Sequence, residues 1–330
     1  MKRETIRLWL PEEYHYPAAW GFLPRLDAYL HDDDTVRPAI IVTPGGGYRR
    51  CSPREGECIA LRFYELGYQT FVCTYTNNTL EVNPLELQPG KDIARAVCYV
   101  RKNADALRVQ PASIALCGFS AGAHAAATVG VHWKDLADPG EPVSSSRPDA
   151  LLLCYPVISL FSDIAHKGSG INLLGEEPSA EKIHYMQLDK HVRPDCPPAF
   201  LWHTLTDRTV DPENSRIFEA ACQAAGVPVE LHLFPSGDHG LSLADGSAVV
   251  NDENLYTLEQ TACVLEAVEQ GKLKLTPEME QHYLSYPEVM ILRTHGQSAS
   301  PATRNEEARR WVDLAHQWLL RIADKQNAVP

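Results

Sequence analysis

Ser120 stands in Gly118-Phe119-Ser120-Ala121-Gly122, a G-x-S-x-G pattern. Ile114 to Cys117 just ahead of it is an apolar run that reads as a buried strand. The Ala-rich run behind it, to Val131, reads as a helix. Strand, sharp turn and helix make a nucleophile elbow, in which a strained turn exposes the serine Oγ. Gly118 and Gly122 lack side chains, so strand and helix can approach closely. The helix start offers unpaired N–H groups and a positive dipole end beside an oxygen that becomes negative. A bare G-x-S-x-G also arises as an ordinary Gly/Ser turn, so the chemistry depends on partners elsewhere.

A nucleophilic serine needs a base, and the base needs an orienting acid. After such an elbow the acid and then the histidine come from loops beyond later strands. Asp207 lies just past the strand-like run Ala199 to His203, at the carboxyl end where sites in parallel sheets form. A loop aspartate often serves only an Asx turn, and Asp211 is a rival acid. Asp207 ranks first because it is nearer the strand end; Asp195 precedes the strand. His239 holds the matching place after Val229 to Phe234, between Gly237 and Gly240, which let a short loop turn it towards Ser120. A neutral imidazole can take the serine proton and return it to a leaving alcohol. His124, inside the Ala run, reads as a packed neighbour, and His203 and His232, within strand runs, as structural. The tetrahedral oxyanion needs two N–H donors. One is expected from Ala121, the other from Gly46 or Gly47 in the run Gly45-Gly46-Gly47 after an early strand. A phosphate-binding reading of that run fails, because no G-x-x-x-x-G-K-[ST] spacing follows.

These groups need a sheet to hold them. Strands are expected at Thr5 to Leu10 (an edge), Ala39 to Thr43, Gln69 to Tyr75, the elbow strand, Ala150 to Tyr155, Ala199 to His203 and Val229 to Phe234. Helices are expected at Glu55 to Leu66, Asp92 to Asn103, Ser179 to Leu188, Asn214 to Ala225, Asn254 to Gln270 and Asn305 to Ala323. Alternating strands and helices with nearly continuous apolar strands predict a mainly parallel sheet covered on both faces. Tyr14 to Tyr29 is irregular, and Pro139 to Pro148 is a polar connection. Gly271 to Arg304 shows no clear period. The stripe Trp311, Leu314, Ala315, Trp318 and Leu319 should dock the last helix on the core. Tyr48, Tyr155 and Trp202, near strand ends, are candidates to wall a substrate site, although core packing is the usual role of aromatics.

The 330 residues suit one large α/β core, taken as a single domain over 1–330. A formal net charge of −13 argues against nucleic acid or an anionic membrane as partner. No run is long enough to span a bilayer. The start MKRETIRLWLPEE has no apolar core of secretory length. Nine scattered cysteines without a C-x-x-C pair read as reduced thiols, not as metal ligands. Together these predict a cytoplasmic protein.

Larger motifs carry a resemblance: PGGGY at Pro44 to Tyr48, GFSAGAH at Gly118 to His124, YPVIS at Tyr155 to Ser159, LWHTLTDRTVDPENS at Leu201 to Ser215 and VPVELHLFPSGDHGLSLA at Val227 to Ala244. With WVDLAHQWL at Trp311 to Leu319, these resemble α/β-hydrolase-fold esterases near the acetyl xylan esterases and hormone-sensitive-lipase-like carboxylesterases. The resemblance implies Ser120 as nucleophile, Asp207 as acid, His239 as base, and oxyanion donors at Ala121 and at Gly46 or Gly47. It implies hydrolysis of short acyl esters, often acetyl on sugars or xylo-oligosaccharides, without a cofactor. Ala123 replaces a common glycine, and Asp211-Pro212 keeps Asp211 open as the acid. Residues 246–304 have no counterpart in the pattern and leave the site's shape and any homo-oligomer open. A serine peptidase of dipeptidyl or acylaminoacyl type shares fold and triad, but it usually adds a propeller or a large cap. A non-catalytic binding protein on the same scaffold is the third reading.

Overall fold

The computed structural model describes residues 1–137 and 140–327, with side chains to residue 324. One sheet contains β1 (Lys2–Arg7), β2 (Arg25–Leu30), β3 (Arg37–Thr43), β4 (Gln69–Thr74), β5 (Val109–Phe119), β6 (Ala150–Cys154), β7 (Ala199–Thr204) and β8 (Val229–Phe234). Its order is β1-β2-β4-β3-β5-β6-β7-β8. β2 runs antiparallel to β1 and β4, and every other pairing is parallel. This mostly parallel sheet, with helices on both faces, is the α/β-hydrolase arrangement that the sequence predicts.

Side chains alternate between two cores along each central strand, as the period of two requires. Ile114 and Leu116 of β5 enter one core with Leu151, Leu153 and Leu201. Cys117 and Phe119 enter the other with Leu152, Phe200 and Trp202. The nearly unbroken apolar strands follow from having both faces covered.

The helices are α1 (Glu57–Glu65), α2 (Gln88–Lys102), α3 (Ala104–Leu107), α4 (Ala121–His132), α5 (Lys167–Leu174), α6 (Ala180–Tyr185), α7 (Glu213–Ala224), α8 (Glu259–Glu269), α9 (Pro277–Leu284), α10 (Pro287–Arg293) and α11 (Trp311–Asn327). α2, α4 and α7 cover the first core with Ile93, Val129 and Phe218. α1 and α11 cover the second with Phe63, Trp311 and Trp318. α4 is buried all round, which its small apolar residues permit. Trp311 stacks on Trp202 at 5.5 Å, and its Nε1 donates to the carbonyl of Ser242 at 2.9 Å. The last helix therefore docks through its expected stripe. No described helix is long and apolar enough to cross a membrane.

Some expected boundaries shift. The first strand is Lys2–Arg7 rather than Thr5 to Leu10. Its register is set by pairing with β2, from Lys2 opposite Leu30 to Arg7 opposite Arg25. β2 falls in the stretch read as irregular. Buried Asp27 interrupts its apolar run and is satisfied by Thr5 Oγ1 at 2.8 Å and by Arg25. α9 and α10 lie in the stretch without clear period and begin at Pro277 and Pro287. Proline fits a first helical turn, where its missing N–H has no partner to lose, so both prolines open helices. α2 likewise begins early, at Gln88 with Pro89. Pro139, at the edge of the predicted polar connection, lies outside the described residues. Around α8 to α10, Val264, Tyr283, Tyr286 and Val289 form a third, smaller cluster.

Candidate active site

Ser120 joins β5 to α4 with φ 51° and ψ −118°, a strained conformation for a residue with a Cβ. Its N–H donates to the carbonyl of Cys154 at 3.0 Å, and its own carbonyl accepts from the N–H of Val157 at 3.2 Å. The end of β6 thus fixes the turn. A Cβ on Gly122 would lie 2.3 Å from the carbonyl oxygens of Thr43 and Pro44. Only glycine lets α4 begin against the end of β3, where the glycine run starts. Gly118 serves the expected contact within the elbow, since a Cβ there would meet Ala123 Cα at 2.6 Å.

The loop after β8 brings His239 Nε2 to 2.8 Å from Ser120 Oγ, and His239 Nδ1 to 2.7 Å from Asp207 Oδ2. Because the carboxylate accepts, Nδ1 carries the proton, leaving Nε2 to accept from the serine hydroxyl. Asp207 lies beyond β7 and is 7% exposed. Its Oδ1 accepts from the N–H groups of Thr209 and Val210 at 2.9 and 3.0 Å. Its Oδ2 also accepts from His203 Nε2 at 3.2 Å. Burial pushes the carboxyl's pKa up, but the bonds from His203 and His239 outweigh it. They hold Asp207 well below the usual carboxylate range. The rival Asp211 is exposed and accepts from the N–H of Glu213 at 2.8 Å, at the start of α7. The structure brings Asp207, not Asp211, to His239.

His203 does more than the sequence suggested. Its buried Nε2–H reaches the carbonyl of Val210 at 3.0 Å as well as Asp207, while Nδ1 accepts from Ser215 Oγ at 2.8 Å. It ties the Asp207 loop to both of its ends. The signal was a histidine at a strand end four residues before the candidate acid. His124 is packed as expected. Its Nδ1 accepts from Tyr48 Oη at 2.7 Å and its Nε2 donates to the carbonyl of Met186 at 3.1 Å. Burial lowers its pKa to about 4. His232 bonds Glu230 at 2.8 Å, away from the site.

Gly46 and Gly47 have φ of +133° and +65°, and a Cβ on Gly46 would lie 2.3 Å from the carbonyl of Arg50. Among the described residues no protein acceptor takes the N–H of Gly46, Gly47 or Ala121. Gly45 N–H instead donates to Glu55 Oε2 at 2.9 Å. The other oxygen of this buried carboxylate accepts from Tyr155 Oη at 2.6 Å. Tyr155 Oη accepts in turn from the N–H of Ser242 at 3.0 Å. The sequence reading missed Glu55, which sits where a helix was expected to begin.

The three aromatics proposed as substrate walls require correction. Tyr48, Tyr155 and Trp202 are buried, and none borders the cavity at Ser120. Trp202 shares strand parity with Phe200 and therefore points into the core under α11. Tyr155 stands between that core and the site, with its ring 4.9 Å from that of His239. These residues are packed inside the protein, Tyr155 behind His239, instead of facing solvent.

The cavity has a volume of about 480 Å³. Ser120, His239, Gly46 and Gly47 border it, as do Glu55, Glu81, His166, Asn172 and Thr209, and the arginines 49, 50 and 54. No aliphatic or aromatic hydrocarbon side chain is among these described lining residues. A separate, more apolar hollow of about 240 Å³, by Pro38, Tyr68 and Leu319, contains none of the groups above. Residues 246–304 supply support beside the glycine run. Glu288 of α10, fully buried, bonds Arg49 Nε at 2.8 Å and lies 3.4 Å from Arg50. The Arg49 guanidinium also lies 4.1 Å from the Tyr286 ring centroid. Among the described residues no group of three His, Cys, Asp or Glu could hold a metal ion.

Comparison with known proteins places the chain among esterases and xylan-degrading enzymes by similarity. Endo-1,4-beta-xylanase B of Butyrivibrio fibrisolvens is 40% identical over 270 residues, covering 79% of this chain and 41% of that protein. Acetylxylan esterase of Xylanibacter ruminicola is 31% identical over 211 residues, covering 61% of this chain and 40% of that protein. The chain therefore spans about two fifths of the length of these curated relatives. The crystal structure of an acetyl ester-xyloside bifunctional hydrolase from Caldicellulosiruptor lactoaceticus is 37% identical, with a TM-score of 0.68. That match covers 82% of this chain and 97% of that one. The BD-FAE family model matches residues 26–222, which include the glycine run, the elbow and Asp207. On that match, over more than half of its length, the chain belongs to the BD-FAE family and has the α/β-hydrolase fold.

Proposed function

We propose that the chain is a serine carboxylesterase that removes acetyl or other short acyl groups from sugars or xylo-oligosaccharides. The observation that carries this reading is the hydrogen-bonded line from Ser120 Oγ through His239 to Asp207, opening on a cavity whose described lining residues include no aliphatic or aromatic hydrocarbon side chain. Such a lining suits hydroxyl-rich alcohols and gives a long acyl chain no hydrocarbon side chain to bury against among the described lining residues. The acetylxylan esterase and the acetyl ester-xyloside hydrolase among the relatives support the same substrate class.

In this mechanism Ser120 Oγ attacks the ester carbonyl as its proton passes to His239 Nε2. The tetrahedral oxyanion accepts from Ala121 N–H and from Gly46 or Gly47. His239 gives the proton to the leaving sugar oxygen as the carbon–oxygen bond breaks. Water, deprotonated by the same histidine, then attacks the acyl-enzyme and frees the acid and Ser120. Asp207, held ionised, fixes the tautomer and balances the imidazolium. The whole chain works as one catalytic unit, with residues 246–304 supporting its arginine-rich side.

The test has two parts. A fluorophosphonate should label the native protein and not Ser120→Ala. Acetyl, butyryl and octanoyl aryl esters, with acetylated xylo-oligosaccharides alongside, should rank in favour of the short acyl groups. A preference for octanoyl overturns the short-acyl assignment, and equal labelling of Ser120→Ala overturns the serine mechanism.

A further inference from the structure

Arginines are concentrated at the active-site cavity of a chain whose formal net charge is −13: three of its lining residues are Arg49, Arg50 and Arg54. Their engagements differ. Arg49 is fully used, by Glu288, by Glu81 at 3.7 Å and by the ring of Tyr286. Arg50 has one ion pair, at 3.4 Å, to a Glu288 that already serves Arg49. Arg54 has no carboxylate within ion-pair distance among the described residues. One of its terminal nitrogens donates to the carbonyl of Ser300, and its other donors meet no protein acceptor there. The neighbouring carboxylates are committed elsewhere. Glu55 faces Gly45 N–H and Tyr155, while Glu81 takes Tyr286 Oη and Arg49.

A guanidinium with open donors, on a partly exposed residue anchored by one bond and lining the same cavity as Ser120, is a planar fork for an anion. A neutral sugar hydroxyl needs no full positive charge to hold it. We infer that the cavity binds a carboxylate carried by the substrate, through Arg54 with Arg50 beside it. This rests on the esterase reading and names its substrate class: an acyl ester with an acidic group near the scissile bond. The acid can sit on the alcohol side, as a uronic acid branch of an acetylated xylo-oligosaccharide, or on the acyl side, as a dicarboxylic monoester. Arg50 follows directly from the oxyanion run, with its N–H 3.4 Å from the carbonyl of Gly46. A carboxylate held there would seat the ester carbonyl towards the N–H groups of Gly46 and Gly47.

The experiment compares matched pairs of substrates. Acetylated xylo-oligosaccharides with and without one uronic acid branch test the alcohol side. The 4-nitrophenyl esters of succinic and butyric acid test the acyl side. For one pair the wild type should favour the acidic member in kcat/KM, and added salt should narrow the gap. Arg54→Gln should lower the acidic-to-neutral ratio about 10- to 100-fold, the usual scale for a hydrogen bond to a charged group. Arg50→Gln should lower it less, and it decides the question if Arg54→Gln fails to fold. Which pair responds tells uronate from dicarboxylate. Equal rates on both members of both pairs, or a ratio unmoved by either variant, overturn the inference. A second arm needs no turnover. Calorimetry on Ser120→Ala should show a uronic-acid-bearing or dicarboxylate ligand binding more tightly than its neutral counterpart, and Arg54→Gln in that background should abolish the difference. If no ester is hydrolysed while this binding difference persists, the esterase reading fails and the carboxylate site stands. If esters turn over without any charge preference, the reverse holds.

Discussion

Asp207→Asn places an amide where four donors converge. Oδ1 accepts from two backbone N–H groups, so an asparagine keeps its oxygen there and turns its NH2 towards the former Oδ2 position. That NH2 then faces the Nε2–H of His203 and the Nδ1–H of His239. His239 relieves the conflict by moving its proton to Nε2, where it points at Ser120 Oγ and can no longer accept from it. The base is lost while the geometry stays, and the expected fall in kcat is on the order of 10⁴-fold. His203 has no such relief. Shifting its proton to Nδ1 leaves the Nε2 lone pair against the carbonyl of Val210. A buried donor clash of this kind costs about 1–3 kcal/mol, so the variant should also unfold at lower urea. Asp211→Asn keeps an oxygen equally able to accept from the N–H of Glu213, and both its rate and its stability should match wild type. The assay is 4-nitrophenyl acetate hydrolysis with parallel urea titrations. Asp207→Asn within tenfold of wild type, or Asp211→Asn equally impaired, would refute the reasoning.

Ser120→Ala should lose nearly all turnover and keep its melting temperature. Ser120→Gly should be about as inactive yet more stable than the alanine variant by about 1 kcal/mol, because glycine tolerates the positive φ; calorimetry of the pair checks it. Gly122→Ala should fail to accumulate as folded protein or melt far lower, since its Cβ meets two carbonyl oxygens at 2.3 Å; a thermal melt near wild type would contradict the elbow packing. Acid should destabilise the fold between roughly pH 6.5 and 4. Burial keeps His124 neutral in the native state down to about 4, whereas the unfolded chain takes up that proton near 6.5. The unfolded state thus binds more protons in this window, and stability falls with falling pH by up to about 3 kcal/mol from this residue. His132, whose pKa burial also lowers to about 4, adds in the same direction. Asp207 loses its contribution only below this window. A urea midpoint flat from pH 7 to 4 contradicts the assignment.

The central strands were legible because both faces are buried, which makes β3 to β7 read as apolar runs ended by turn residues. The elbow, Asp207 and His239 were legible because chain order and strand ends constrain where such groups fall. Side-chain direction was not legible from type alone: Trp202 points inward by strand parity, and Tyr155 inward through its bond to Glu55. Glu55 was hidden because a buried acid at a helix start looks like an ordinary N-terminal charge. α9 and α10 were hidden because their lengths, eight and seven residues, give too few turns for a period, and each opens with a proline. The ties from Arg49, Arg50 and Arg54 to residues 246–304 span more than 230 positions, and no local pattern announces them.

That separation orders the birth of the protein. Arg49 waits 239 residues for Glu288, and at about 5–20 residues per second of synthesis the delay is on the order of ten to fifty seconds. Ser120 is 119 residues from His239, and Trp311, which stacks on Trp202, arrives later still. A chain that folds as it emerges carries, through that interval, a sheet whose second face, with Phe119, Phe200 and Trp202, has α1 but not yet α11 to cover it. Until α11 emerges, that sticky face is a natural target for chaperones and a hazard for aggregation. Ester hydrolysis followed during synthesis should therefore appear only after Glu288 and Trp311 have emerged.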